Sequence, residues 1–169
     1  PEADALEAWE GPNGLHQDFI HQGIAVEIKS VSGKERGSIK ISSEDQLEGT
    51  ADQLFLKVYR LIANAGHEAA LSLNEKVERL SVLFKDNSAL DVFHSRLLGY
   101  GYVPLHEYDA PEFVITDENT YSVKEDFPRL VRSGLPNGVL KVRYEIELHR
   151  IERFLVKNKI SFGGENGAG

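Results

Sequence analysis

The chain has 169 residues with a formal charge of −8, enough length for one domain with a substantial core. No apolar run reaches the roughly 20 residues that cross a membrane, and the absence of cysteine excludes disulfides and thiolate metal sites. The acidic balance disfavours nucleic-acid binding by net charge alone, and without a recognisable signal peptide we expect an intracellular, cytoplasmic location.

The first residues predict a short helix. Ala5, Leu6 and Trp9 have the spacing of one helical side, and the glycine- and proline-rich residues 10–14 end the pattern. The chain opens on Pro1 and contains no methionine, so we expect it to be a piece of a longer protein, truncated at its N-terminus.

Residues 16–29 look like two strands folded back at Gln22 and Gly23. A two-residue loop places Asp18 opposite Glu27 on one shared face, whereas a three-residue loop slips the register by one and separates them. We favour the first register because it sorts the side chains cleanly. Its apolar face carries Phe19, Ile24, Val26 and Ile28, and its polar face carries His16, Asp18, Glu27 and Lys29.

Asp18, Glu27 and Lys29 form the main candidate site. Two facing carboxylates repel each other unless a cation lies between them, and Mg²⁺ and Mn²⁺ prefer oxygen ligands, to which the Ile28 carbonyl would add a third. Such an ion polarises a phosphate and lowers the pKa of a bound water, while Lys29 orients that water or neutralises developing charge. From spacing alone, the alternative is an exposed strand with ordinary surface charges. His16 would lie opposite Lys29 and could assist, but a single histidine disfavours zinc.

The stretch after the hairpin is basic, and a strand and a helix start follow. Lys29, Lys34, Arg36 and Lys40 against Glu35 give a net charge of +3, which indicates either local nucleic-acid contact or solvated loop charge. Residues 38–42 alternate like a third strand, expected to be antiparallel to residues 24–29.

Ser43 and Gln46 match a capping box that opens a short helix. Gln46 has two compatible interpretations, since it either completes this box or reaches toward the same metal-bound water or phosphate.

The rest of the chain predicts one strand, two helices and further strands. Residues 54–62 suit a buried strand or a helix, and we predict a strand. A second capping box at Ser72 begins a helix, and Ser88 begins another that ends near Gly99. The helical stripe after Ser72 consists of Leu73, Val77, Leu80 and Phe84. Strands are predicted near 102–108, 112–116, 120–124 and 138–148, with turns at 117–119 and 135–138 and a helical turn at 151–156. This order predicts an α+β or mixed α/β fold.

Asp18, the Glu27-Ile28-Lys29 run and Gln46 together resemble the PD-(D/E)XK nuclease superfamily. The pattern is most similar to a little-characterised bacterial group of restriction-type or phage-defence nucleases. The resemblance extends nearly end to end, over 9–12, 18–19, 26–29, 41–47, 54–56, 121–123, 127–130 and 144–146.

The resemblance implies a single domain over 1–169 with a restriction-endonuclease-like αβββαβ core. The core would occupy about 1–62, and additional C-terminal helices and strands about 63–160. It implies that Asp18 and Glu27 hold Mg²⁺ or Mn²⁺ with the Ile28 carbonyl, that Lys29 positions the water, and that Gln46 assists. One feature departs from the pattern, since such folds usually begin with a helix that supplies another acidic residue. The acidic residues available here are poor substitutes by position: Glu2, Asp4, Glu7 and Glu10.

We therefore expect a Mg²⁺-dependent DNA nuclease of restriction or phage-defence type. Its expected partners are DNA and other subunits of such a system, with homodimer formation and without a membrane. The alternative is a non-catalytic interaction module that keeps the nuclease fold inside a multi-protein complex, favoured by the negative charge and the short N-terminus. The sequence does not distinguish a nuclease that acts on RNA from one that acts on DNA.

Overall fold

The structure, a computed structural model, describes residues 2–32, 37–49 and 51–157. Its helices are α1 (Glu2–Ala8), α2 (Leu73–Ser81) and α3 (Asn87–Gly99). Its strands are β1 (Phe19–His21), β2 (Ile24–Ser32), β3 (Ser38–Ile41), β4 (Gln53–Ala63), β5 (Phe113–Ser122) and β6 (Tyr144–Glu147). The expected mixed α+β fold is confirmed. Within the described ranges, the helices are too short or too polar to cross a membrane.

A four-stranded mixed sheet, in the order β1-β2-β4-β5, forms the centre of the molecule. β2 and β4 run parallel, from the pair Ile24 and Gln53 to the pair Ser32 and Leu61. β1 and β5 pair antiparallel to β2 and β4. Because a parallel pair needs a crossover, the chain between β2 and β4 leaves the sheet, and that excursion carries β3 and the 3-10 helix Glu44–Leu47.

The hairpin has the predicted register. Phe19 pairs with Val26 and His21 with Ile24, so the loop has two residues and the slipped alternative is wrong. Both loop residues have positive φ, 47° at Gln22 and 79° at Gly23. This is the requirement of a type I′ turn, whose twist matches the flanking strands. The predicted strand over 54–62 is also confirmed as part of β4.

The expectation that β3 would pair with β2 is wrong. β4 occupies one whole edge of β2, and β3 instead pairs antiparallel with β6, Ile39 opposite Ile146, in a separate two-stranded sheet. Ile39, Ile41 and Ile146 are buried in one cluster with side chains of the main sheet, among them Leu56. The second sheet therefore packs over the first one, because its alternating isoleucines need a buried face.

The C-terminal strands differ from the prediction. The predicted strands 112–116 and 120–124 are one continuous strand, β5, without a turn at 117–119. The predicted strand 102–108 is irregular and leads into the 3-10 helix His106–Asp109, and 138–148 contains only β6. The turn at 135–138 is confirmed by a hydrogen bond of 3.0 Å from the Val139 N–H to the Pro136 carbonyl. The expected helical turn at 151–156 is the 3-10 helix Glu152–Phe154.

The helices pack beside the sheets in a smaller cluster formed by Leu6 of α1 and by Ala89 and Phe93 of α3. The capping box that begins α2 is confirmed, with reciprocal hydrogen bonds between Ser72 and Glu75. α3 begins one residue before Ser88, because Asp86 is its N-cap.

The predicted stripe on α2 is only half covered. Val77 and Phe84 pack against this smaller cluster, while Leu73 and Leu80 are exposed. The stripe is therefore not a continuous core face.

Candidate active site

Asp18 lies directly before β1 and is held through its backbone and its side chain. Its carbonyl accepts hydrogen bonds from the N–H groups of Glu10 and Gly11, at 2.8 and 3.2 Å. Its Oδ2 accepts one of 2.7 Å from the N–H of Ile28. Because the N–H and C=O of a strand residue point to the same edge, the Ile28 carbonyl faces the side of β2 on which Asp18 lies.

Glu27 and Lys29 lie on one face of β2, as residues two apart in a strand do. The same face carries Ala25 and Val31, which belong to the main core. Glu27 is only 2% exposed and Lys29 15%, and Lys29 Nζ lies 2.7 Å from Glu27 Oε1. The alternative of an exposed strand with ordinary surface charges is therefore wrong for Glu27 and Lys29, because both side chains are largely buried.

Burial raises the pKa of the Glu27 carboxyl from its ordinary value of 4.5 to about 7. The hydrogen bond and the charge of Lys29 oppose this rise, and the negative charge of Asp18 adds to it. The two carboxylates are thus close enough to repel each other. Their shared negative charge is only partly balanced by the one ammonium group beside Glu27.

Gln46 lies on the 3-10 helix Glu44–Leu47 and joins this group. Its Oε1 accepts hydrogen bonds from Lys29 Nζ, at 3.0 Å, and from the N–H of Ser42, at 2.8 Å. Ser43 is the N-cap as predicted, but it accepts from Asp45, at 3.3 Å. The reciprocal capping box is wrong for Gln46, because its acceptor serves Ser42 and the Lys29 ammonium instead. The interpretation that Gln46 reaches into the site agrees with this geometry.

Gln17, which the sequence interpretation missed, anchors the segment that carries Gln46. Its side chain is buried, and its Nε2 donates to the carbonyls of Asp45, Gln46 and Glu48 at 2.8, 3.3 and 3.1 Å. One amide group therefore supplies hydrogen bonds to the carbonyl groups at the end of the 3-10 helix. The only sequence signal for Gln17 is its place beside Asp18.

Glu44 is a second buried carboxylate that the sequence interpretation missed. It is 1% exposed, and its Oε2 accepts a hydrogen bond of 2.8 Å from the N–H of Val142. Its Oε1 lies 3.5 Å from an Arg132 nitrogen without a hydrogen bond. The same nitrogen bonds both carboxylate oxygens of Asp45 at 3.0 Å. These contacts tie the 3-10 helix to the C-terminal half of the chain.

Two other groups of candidate side chains have partners outside this group, and a third group is not described. His16 is exposed in a bend before β1, 3.9 Å from Asp45, and its predicted place opposite Lys29 is wrong. Of the early acidic residues, Glu2 accepts from the N–H groups that precede α3, and Glu10 from Asn13. The basic residues Lys34 and Arg36, with Glu35, lie outside the described residues. A nucleic-acid contact there stays a prediction.

The donor set fits a hard divalent cation. Asp18 and Glu27 supply carboxylate oxygens, and the Ile28 carbonyl faces the side of Asp18. Mg²⁺ and Mn²⁺ prefer such oxygen ligands. Across 2–32, 37–49 and 51–157, three or more His, Cys, Asp or Glu side chains do not meet as a metal cluster. The third protein ligand would therefore be a backbone oxygen.

Comparison with known proteins gives one match. A family model described as "Putative PD-(D/E)XK family member (DUF4420)" matches residues 1–149. Neither the curated proteins nor the solved structures give a match. The matched range contains all four candidate site side chains, Asp18, Glu27, Lys29 and Gln46, together with every strand of both sheets.

Proposed function

The chain belongs to this PD-(D/E)XK family, and from that premise we propose that it is a metal-dependent nuclease that hydrolyses DNA phosphodiester bonds. The observation that carries the proposal is the position of Lys29. Its ammonium lies 2.7 Å from Glu27 Oε1 and 3.0 Å from Gln46 Oε1 and is largely shielded from solvent, and the charge of Asp18 acts on the same Glu27 carboxyl. A cation and two acids in a water-poor setting suit phosphoryl chemistry better than a structural ion pair.

Asp18, Glu27 and the Ile28 carbonyl would hold Mg²⁺ or Mn²⁺. When bound, such an ion supplies Lewis-acid stabilisation of the phosphate oxygens and lowers the pKa of water. The role of Asp18 begins before any ion binds, because its hydrogen bond to the Ile28 N–H fixes the strand that presents Glu27. Since ligands must be deprotonated, Glu27 loses its proton when an ion occupies the site.

Lys29 would orient the attacking water and stabilise the charge that develops on the phosphate. An ammonium group has three N–H donors, and two of them are directed at Glu27 and Gln46. These two acceptors fix the position of Nζ, and since the described residues offer the third donor no acceptor, it is available for the water or a phosphate oxygen. Gln46 thus acts through Lys29, and Gln17 acts through the 3-10 helix that carries Gln46.

The test is cleavage of plasmid DNA, linear duplex DNA and single-stranded DNA with Mg²⁺ by the wild type, Lys29→Ala and Glu27→Ala. We expect cleavage by the wild type and a loss of at least 100-fold in either variant. Lys57→Ala is the matched control. Lys57 of β4 pairs with Ile28 of β2, so its side chain lies on the face of the sheet opposite to Glu27 and Lys29, next to Glu118. Equal cleavage by wild type and both site variants would overturn the mechanism.

We place this activity in a bacterial restriction or phage-defence system, with DNA and further subunits as partners and with homodimer formation. The support is the nearly end-to-end resemblance to restriction- and defence-type nucleases; the family match over residues 1–149 supports the nuclease superfamily alone. Plaque formation on cells that express the wild type, compared with cells that express Lys29→Ala, tests the setting. Equal plaque numbers would rule out a role in phage defence but would leave the proposed nuclease activity untouched.

A second candidate is a non-catalytic module that keeps the nuclease fold within a multi-protein complex. It is favoured by the described residues, in which no third acidic or histidine side chain completes the metal site, and by the charge of −8. Calorimetry with Mg²⁺ and Mn²⁺ separates the two candidates. A module would bind neither ion and would associate stably with its partner, whereas the nuclease needs the ion for cleavage.

A further inference from the structure

We propose that Tyr100 is a stacking platform for a nucleobase beside the candidate metal site, and that the substrate strand is therefore unpaired where it is cut. This inference rests on the proposed nuclease function and specifies its substrate class as single-stranded DNA. Tyr100 follows directly after α3. The residue is 62% exposed, so its ring is accessible to a ligand.

Gly11 brings the Tyr100 ring close to Asp18. A Cβ atom at Gly11 would lie 3.5 Å from Tyr100 Cε2, 3.6 Å from Asp18 Oδ1 and 3.2 Å from Trp9 Nε1. The ring edge and the carboxylate therefore both lie next to a residue that has no side chain to separate them. Since a phosphate is one sugar away from its base, a base stacked on Tyr100 places a phosphate next to Asp18.

The ring is presented from a fixed backbone. The Tyr100 N–H donates 2.9 Å to the carbonyl of Arg96, and the Arg96 guanidinium in turn donates to the carbonyls of Leu6 and Trp9. The Trp9 ring lies 6.3 Å from the Tyr100 ring at 45° and supports one side of it. An aromatic ring held in this way loses little entropy when a base covers its exposed side.

Stacking would also give an acidic protein a means of binding DNA. With −8 overall, the chain gains little from non-specific phosphate attraction. Stacking of a base on an aromatic side chain contributes about 1–3 kcal/mol and does not depend on charge. In the interior of a duplex, each base is covered on both faces by its neighbours, so away from duplex ends a base must be unpaired to lie on Tyr100.

The experiment uses the chain itself as the reporter. Trp9 is its sole tryptophan and touches the proposed platform. The cleavage-deficient Lys29→Ala variant is titrated, with Mg²⁺ present, with a thymidine-rich single-stranded oligonucleotide and with the same sequence as a duplex. We expect the single strand to quench Trp9 fluorescence and to bind more tightly than the duplex.

Variants of Tyr100 in the same background separate stacking from packing. Tyr100→Ala should weaken single-strand binding about 5- to 100-fold, Tyr100→Leu should weaken it similarly, and Tyr100→Phe should retain it. Leu98→Ala, at another exposed apolar residue of the same helix end, is the matched control and should bind normally. Circular dichroism of each variant confirms folding, and the exposed position of Tyr100 makes unfolding an unexpected outcome.

Three results would overturn the inference: equal affinity for single strand and duplex, unchanged binding by Tyr100→Ala and Tyr100→Leu, or no DNA binding at all. Its failure differs from failure of the nuclease function. Cleavage by the wild type combined with normal binding by Tyr100→Ala removes only the platform. Absence of cleavage combined with Tyr100-dependent single-strand binding removes only the chemistry.

Discussion

Asp18 Oδ2 accepts a hydrogen bond of 2.7 Å from the backbone N–H of Ile28, the residue between Glu27 and Lys29. β1 begins only at Phe19, so the Asp18 side chain continues the pairing of β2 beyond the end of the hairpin. A carboxylate that is a candidate metal ligand therefore also fixes the strand that carries the other candidate residues. Its two roles can be separated by substitution.

Asp18→Asn should lower metal affinity at least tenfold and leave the fold nearly unchanged. The asparagine carbonyl can still accept from the Ile28 N–H, but the charge is lost. Asp18→Ala loses both and leaves that N–H without its partner, which costs about 1–3 kcal/mol. Calorimetry with Mn²⁺ and urea unfolding measure the two effects. Equal stability of the two variants would contradict a structural role for the hydrogen bond.

Glu27 should make the metal-free protein less stable as the pH rises from 4.5 to 7. Burial raises its pKa in the folded protein to about 7, against 4.5 as the ordinary value, so the folded state binds more protons in this window. Stability linked to Glu27 is therefore fully present below pH 4.5 and is lost as the pH passes 7, by roughly 3 kcal/mol. Denaturant unfolding of the wild type and of Glu27→Gln at several pH values measures it.

The contribution of other titrating groups cancels in the difference between these two proteins. Parallel stability profiles of the wild type and Glu27→Gln would show that Glu27 titrates normally. Metal affinity should change in the opposite direction and increase as the pH rises through 7, because Glu27 must lose its proton to act as a ligand.

Gln46→Ala should lower the cleavage rate about 10- to 100-fold, because Lys29 Nζ loses one of its two fixed acceptors. Stability should fall by only about 1 kcal/mol from the lost bond to Ser42. Gln46→Glu keeps an acceptor for both donors and should retain more activity than the alanine variant. Gln53→Ala, at an exposed residue at the start of β4, is the control. If Gln46→Ala cleaves DNA at the normal rate, the only role of Gln46 is to hold the backbone at Ser42.

Substitutions in the hairpin turn should change stability according to how well the new residue tolerates a left-handed backbone. Gln22 has φ 47°, which asparagine tolerates better than glutamine, so Gln22→Asn should stabilise the protein by about 0.5 kcal/mol. Gly23→Ala should destabilise by about 1–2 kcal/mol, since φ is 79° and the new Cβ would lie 2.5 Å from Asp52 Oδ2. Thermal unfolding compares both with the wild type.

Gly66→Ala is the matched control for Gly23→Ala. Gly66 has φ 89°, and a Cβ there would meet nothing within 4 Å. Its substitution therefore carries the backbone cost without the contact. A larger loss of stability at Gly66 than at Gly23 would contradict this account of the turn.

The hairpin register could be predicted because a slip of one residue moves every side chain to the other face. Asp18, Glu27 and Lys29 carried that information within twelve residues of sequence. The partner of β3 could not be predicted in this way, because Ile39 pairs with Ile146 across more than half of the chain. Local alternation shows that a strand has a buried face but does not show which strand lies beside it.

Polar residues misled the prediction where their role depends on distant groups. Asp117 to Asn119 were interpreted as a turn, but they are polar because β5 is an edge strand with an exposed surface. Gln46 fits a capping box locally, but its Oε1 accepts from the Ser42 N–H and the Lys29 ammonium instead. Gln17 and Glu44 are buried because of backbone groups far away in the sequence, and no local pattern indicates this.

The candidate site residues and the strands that cover the edges of their sheets come from different parts of the chain. Asp18, Glu27, Lys29 and Gln46 all precede the end of β4, yet β5 and β6 close the free edges of β4 and β3. The first 63 residues alone would expose both edges and tend to aggregate. A break in the exposed loop at 64–69 would leave two fragments that fold only when reunited, the arrangement that a split-protein reporter requires.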